Sequence, residues 1–237
     1  MAQKKKTPAP PKRSVQAPKR RSATNKSSAG DRKMLLGILG ASAVVLVIAA
    51  VAFLTLGGSS SANDSGVANA MKAAGCTFET VAAKPVKPGQ IHVPEGTPVK
   101  YNTFPPSSGS HYPTPGIWDF YTTPVEPRLL VHNQEHGGVI LWWGPDVPKE
   151  TVDKIHAFYN SSPVSMVGSP IAGLGKKVAI TAWTGDPAKY GAEPNYYGFG
   201  HVAVCPTFNE SAFKKFRDTY RGHGPEGIPM GTNQPGT

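Results

Sequence analysis

The chain has 237 residues, 25 Lys and Arg against 15 Asp and Glu, and a formal net charge of +10. Eleven of the basic residues and one acid lie in residues 1–33, which leaves 14 of each sign elsewhere; the body of the chain is neutral and is not a basic nucleic-acid-binding domain. The length suits one folded domain, and 39% hydrophobic content is enough to give it a core.

Residues 1–33 are rich in Lys, Arg, Pro, Ser and Ala, and Val15 is their one large aliphatic besides the initial Met. Such a stretch buries too little apolar surface to offset the entropy of ordering, so a disordered tail is predicted. Residues 34–56 (MLLGILGASAVVLVIAAVAFLTL) carry no charge in 23 positions. At about 1.5 Å per residue a helix of that length crosses the roughly 30 Å hydrocarbon layer. The apolar run and its basic lead are both longer than in a cleaved signal peptide, whose apolar region is about 7–15 residues. The segment therefore reads as an uncleaved transmembrane anchor with the lipid bilayer as partner. Its basic flank places the N-terminus in the cytoplasm and the rest of the chain outside the cell membrane. The tail serves chiefly to set this topology.

Residues 57–66 (GGSSSANDSG) read as flexible linker, and the linker is extended to residue 71. An extracytoplasmic domain is expected over 72–223, with a flexible Gly/Pro-rich tail at 224–237. The chain has two cysteines, Cys76 and Cys205. In an oxidising compartment an even pair reads as a disulfide.

Residues 83–128 contain ten prolines and no sustained helical period, so extended segments and turns are predicted there. VILWW (139–143) reads as a buried strand. A helix is predicted over 148–160, with Pro148 in its first turn and Val152, Ile155 and Tyr159 on one face. VSMVG (164–168), KVAITAW (177–183) and HVAVC (201–205) read as strands. A last helix is capped by Asn209, carries the stripe Phe213, Phe216 and Tyr220, and stops at Gly222. The fold class is α+β: an irregular, Pro-rich first half followed by a small mixed sheet with two helices.

All seven histidines lie in the expected outer domain: His92, His111, His132, His136, His156, His201 and His223. VHNQEHGG (131–138) holds His132 and His136 four apart with Glu135 beside the second, the H-x-x-E-H pattern of inverted zincins. On a helix the two imidazoles share a face and could hold one metal, with Glu135 as general base. Pro127 and Gly137 would bound such a helix at barely three turns, and a third, acidic ligand would have to come from Glu193, Glu210 or Glu226. A second reading needs no helix: His111, His132 and His136 form a three-histidine site for zinc or copper, with His92 or His201 as a fourth ligand. Against both stands the reading that these histidines bond loop backbone in a fold with few regular ladders. His156 reads as structural and His223 as solvated. Tyr101, Phe104, Tyr112 and Trp118 either line a ligand groove or, the favoured reading, cover a core that lacks regular structure. The serines beside His111 lack a nucleophile elbow, so a serine hydrolase is discounted.

The run YNTFPPSSGSHYPTPGIWDFYTTPVEPRLLVHNQEHGGVIL (101–141) resembles the bacterial membrane-anchored family known as domain of unknown function (DUF) 3105, whose pattern is a PPTSGPHYP-like turn followed by VHNLEHGGVVI. Ser107, Ser110 and Gln134 depart from it; the histidines do not. GQIHVPEGTPVKYN (89–102) and YRGHGPE (220–226) look family-like too, so the resemblance spans about 72–226. It implies an N-terminal anchor, an extracytoplasmic domain and no established activity. His111, His132, Glu135 and His136 carry over as motif positions. Three functions remain in play: an anchored metal-binding protein, a metal-dependent hydrolase using Glu135, and a non-catalytic module that contacts another cell-envelope component.

Overall fold

A computed structural model describes residues 62–193 and 195–237. The basic tail, the 34–56 span and the start of the linker lie outside the described residues. Among the described residues no helix is long and apolar enough to cross a membrane.

The described chain is an α+β domain built on one five-stranded mixed sheet with four helices. The elements are α1 (Ala62–Ala73), β1 (Thr77–Ala82), α2 (Pro127–Glu135), β2 (Val139–Trp143), α3 (Lys149–Ser161), β3 (Met166–Pro170), β4 (Val178–Thr184), β5 (Phe199–Cys205) and α4 (Glu210–Tyr220), then a short 3₁₀ turn, Met230–Thr232. The sheet order is β1-β5-β4-β2-β3. Only β2 and β3 pair in parallel, and α3 supplies the crossover that a parallel pair needs. The other neighbours are antiparallel.

Side chains alternate across each strand, so the sheet has two distinct faces. Val139, Leu141, Val178, Ile180, Ala182 and Ala203 face α1, α3 and α4, which contribute Val67, Met71, Ile155, Phe158, Phe213 and Phe216. Ile140, Trp142, Val167 and Ala179 face the other way, onto Trp118 and Leu130. Both faces are covered, which is why VILWW is apolar without alternation. The pairing of Thr77 with Val204 brings Cys76 opposite Cys205, and the two are bonded across that edge with Cα atoms 4.1 Å apart.

Three expectations change. Two helices become four. The linker placed over 57–71 is helix from Ala62 onward: Val67 and Met71 are fully buried, and Tyr220 on α4 donates to Asp64 at 2.7 Å. Too few large apolar residues mark this helix in the sequence; packing against α4 makes it. The tail over 224–237 is docked. Backbone N–H groups that would otherwise be orphaned find acceptors there, Trp118 on Thr237 at 2.9 Å and Ser165 on Asn233 at 2.9 Å.

A candidate metal centre on the Pro-rich face

HNQEH is helical. Pro127 occupies the first turn of α2, where its missing N–H costs nothing, and the Glu126 side chain accepts from the Arg128 N–H at 3.2 Å. The helix stops at Gly137, whose φ of +86° suits glycine, and the Gly137 N–H closes on the Gln134 carbonyl at 2.9 Å. It is short, and Leu130 to Glu135 are all buried. Polar side chains fill this interior by bonding the Pro-rich segment. Asn133 holds Gly116 through both its N–H (2.9 Å) and its carbonyl (2.7 Å), and Gln134 donates to the Pro106 carbonyl at 3.1 Å. The Pro-rich half is thus pinned to α2, and the pinning delivers its histidines.

His92 and His111 lie on adjacent extended segments that meet in a single parallel bridge. The His111 N–H donates to the Ile91 carbonyl at 2.9 Å and the Val93 N–H to the His111 carbonyl at 2.8 Å. This brings two rings from distant parts of the sequence within 4.8 Å, and His132 on α2 completes a triangle at 5.0 and 4.8 Å. All three Nε2 atoms point at one oxygen. Glu135 Oε2 is 3.0 Å from His111, 3.3 Å from His92 and 3.9 Å from His132. The four ligand atoms lie within 4.8 Å of one another and could hold a metal ion. A tetrahedron with bonds of about 2.0–2.1 Å has edges of roughly 3.3 Å, close to these separations.

The protons support this assignment. A carbonyl oxygen only accepts, so the contacts from His111 Nδ1 to the Gly109 carbonyl (2.8 Å) and from His132 Nδ1 to the Tyr112 carbonyl (2.7 Å) fix a hydrogen on each Nδ1. With its hydrogen on Nδ1, a neutral ring presents a bare Nε2 to the cluster, the usual arrangement of a metal-ligating histidine. At 3.0 Å a bare Nε2 and a carboxylate oxygen repel. The contact needs positive charge between them, either a second proton on His111 or a metal cation. Burial is the strongest influence on Glu135 and would raise its pKa; His111, Tyr190 and His92 outweigh it and hold the carboxyl at about 2. Burial also lowers His132 to about 4, so that ring stays neutral. The Tyr190 hydroxyl donates to the other Glu135 oxygen, and burial with that carboxylate pushes its phenol well above the usual range.

The remaining predicted ligands separate. His136 lies outside the four-atom group. Its Nε2 is 3.0 Å from His132 Nε2 and 3.1 Å from Glu226 Oε2. His92, offered in the sequence only as an alternative fourth ligand, is one of the cluster's three histidines. A signal for it was present: IHVP and SHYP repeat the same His-x-Pro unit. His201 is elsewhere, on β5 beneath Tyr220, and its two nitrogens meet Thr80 and Thr184 hydroxyls at 2.9 and 2.8 Å. His156 stacks on Phe120 at 4.3 Å, and His223 is exposed. Ser110 is tied to backbone at Val86 and Gln90 rather than to His111. Of the aromatic segment, Tyr112 and Trp118 are buried, while Phe104 is 49% exposed and lines a cavity of about 460 Å³ with Val99, Tyr101, Arg128 and Ile171.

Fold and site together define an α+β domain whose irregular face presents a buried His₃Glu cluster suited to a cation. The chain belongs to the family described as protein of unknown function (DUF3105), whose model matches residues 92–232, from His92 past Glu226. No curated protein and no solved structure matches the chain.

Proposed function

We propose that this protein is a single-pass, membrane-anchored metal-binding protein whose folded domain lies outside the cytoplasmic membrane, and that a divalent ion, zinc or copper, is held by His92, His111, His132 and Glu135. One observation carries the metal reading: three imidazole Nε2 atoms converge on one buried carboxylate oxygen at 3.0–3.9 Å. Nitrogen and carboxylate ligands suit either ion. Glu135 contacts His92, His111 and Tyr190, which favours a ligand's role over that of a general base and so favours binding over hydrolysis. The uncharged 34–56 span and its basic flank support the anchor, and the Cys76–Cys205 bond fits an oxidising space.

The test is metal analysis of the full chain purified in detergent. The protein should carry a divalent ion, lose melting temperature in chelator, and fail to retain the ion as His111→Ala. A protein that copurifies with no metal, binds none on titration and melts identically in chelator would remove this reading. For topology, the N-terminal tail should resist protease added outside intact cells, while the folded domain is reached by a membrane-impermeant label.

A further inference from the structure

Beside the first cluster lies another convergence, formed by His136, Glu226 and Glu135, whose ligand atoms also fall within 4.8 Å of one another. Glu135 is common to both groups. We propose that the centre is binuclear: a second divalent cation sits between His136 Nε2, Glu226 and a carboxylate oxygen of Glu135, which bridges the two ions. This rests on the first cluster holding a metal.

The proton inventory points to it. His132 has its hydrogen on Nδ1, so its Nε2 accepts, and Glu226 is a carboxylate that accepts. His136 Nε2 faces both, at 3.0 and 3.1 Å, with at most one hydrogen for two acceptors. Two cations resolve the conflict: one takes the His132 lone pair, the other the His136 lone pair and a Glu226 oxygen. The position is also built by backbone. The Gly222 N–H donates to the Gly137 carbonyl at 2.8 Å. At Gly224 a Cβ would fall 2.2 Å from Gly137 N and 2.3 Å from the Glu135 carbonyl. The RGHGPE segment therefore docks on the end of α2, and the docking carries Glu226 to His136. The two positions differ in kind. The first has four protein ligands and, apart from His92, is buried; the second has three, and His136 and Glu226 are 21% and 29% exposed. Three protein ligands, two of them reached by solvent, leave a fourth coordination place for water or an anionic group, the arrangement of an open rather than a closed, structural site.

The experiment titrates metal-stripped full-length protein with Zn²⁺ in a competitive chelator, then with Cu²⁺ followed by electron paramagnetic resonance. The parent should take up two ions per chain in a tight and a weaker step, and the second Cu²⁺ should couple magnetically to the first and diminish its signal. Glu226→Gln and, separately, His136→Ala should each bind one ion with the tight step unchanged and keep an isolated Cu²⁺ signal. Their melting temperatures in chelator should match the parent's, which separates loss of a ligand from loss of fold. One ion in the parent, or two in both variants, overturns the binuclear centre while leaving the first metal in place. No ion in any protein removes the underlying reading as well.

Discussion

The two faces of the sheet are covered by different materials. On one face, α1, α3 and α4 lay apolar stripes over Val139, Leu141, Ile180 and Ala203. On the other, nine residues of α2 and a Pro-rich segment do the covering, setting Trp118 and Leu130 beside hydrogen-bonded polar groups. Each face holds a deeply buried histidine. On the helical face His201 meets two threonine hydroxyls, which can donate or accept, so its needs are met without a cation. On the Pro-rich face His111 and His132 meet carbonyls through Nδ1 and aim a bare Nε2 at other acceptors. Burial alone does not make a histidine a ligand; the chemistry of its neighbours does.

Four measurements sharpen or break this contrast, and the largest effect concerns the staple of the helical face. Reducing Cys76–Cys205, which closes a separation of 129 residues, should cost about 4–5 kcal/mol by the chain-entropy relation, read as a lower urea midpoint in reductant. Thiol alkylation of unreduced protein should label neither cysteine.

Next, Phe216→Ala on α4 should destabilise by about 3–5 kcal/mol through a core cavity while leaving metal affinity of the folded protein unchanged. If affinity falls in step with stability, the faces are not separable.

Third is acid. In chelator, His132 and His201 keep folded pKa values of about 4 because burial opposes their charging. The unfolded chain binds those protons near pH 6.5, so stability falls as pH drops from about 6.5 to 4. Glu135, held at about 2, contributes stability present above its unfolded pKa of about 4.5 and lost as pH falls from there toward 2. Each group is worth roughly 3 kcal/mol across its window. His201→Gln should flatten part of the upper window without changing the number of ions bound; a change in that number would place His201 in the metal chemistry.

The smallest effect expected is at Asn133. Asn133→Ala removes two bonds to Gly116 and should cost about 2 kcal/mol, and it should weaken metal binding about tenfold by loosening the segment that carries His111. Unchanged metal affinity would show that the segment carrying His111 is held in place without the Asn133–Gly116 bonds.

Legibility followed the same division. The helical face was readable because its elements obey simple periods: Phe213, Phe216 and Tyr220 mark α4, and Asn209 caps it by accepting from Ala212 at 3.0 Å. α1 carries no legible stripe, because Val67 and Met71 are the large apolar residues it buries and a neighbour decides its helicity. α2 is ambiguous because its buried run, Leu130 to Glu135, goes all round the helix and four of its residues are polar, so no apolar stripe stands out. Within the site, the VHNQEHGG and SSGSH blocks drew attention to His111, His132, Glu135 and His136. The role of His92 depends on a one-bridge pairing with His111 across 18 intervening residues, and no local period records such a contact.

By itself the sequence determined the charge division of the chain, the uncharged 34–56 stretch, the α+β order of the second half, the cysteine count and the residue types able to bind a cation. These follow from composition and from spacings of at most a few residues. Only the tertiary structure decided which histidines meet: that His92 joins His111 and His132 on Glu135, that His136 turns to Glu226, and that His201 is satisfied by threonines. Those choices are made by backbone pairing and glycine contacts between segments as much as 90 residues apart, such as Gly137 against Gly222 and Gly224, where the physical cause is close packing rather than sequence period.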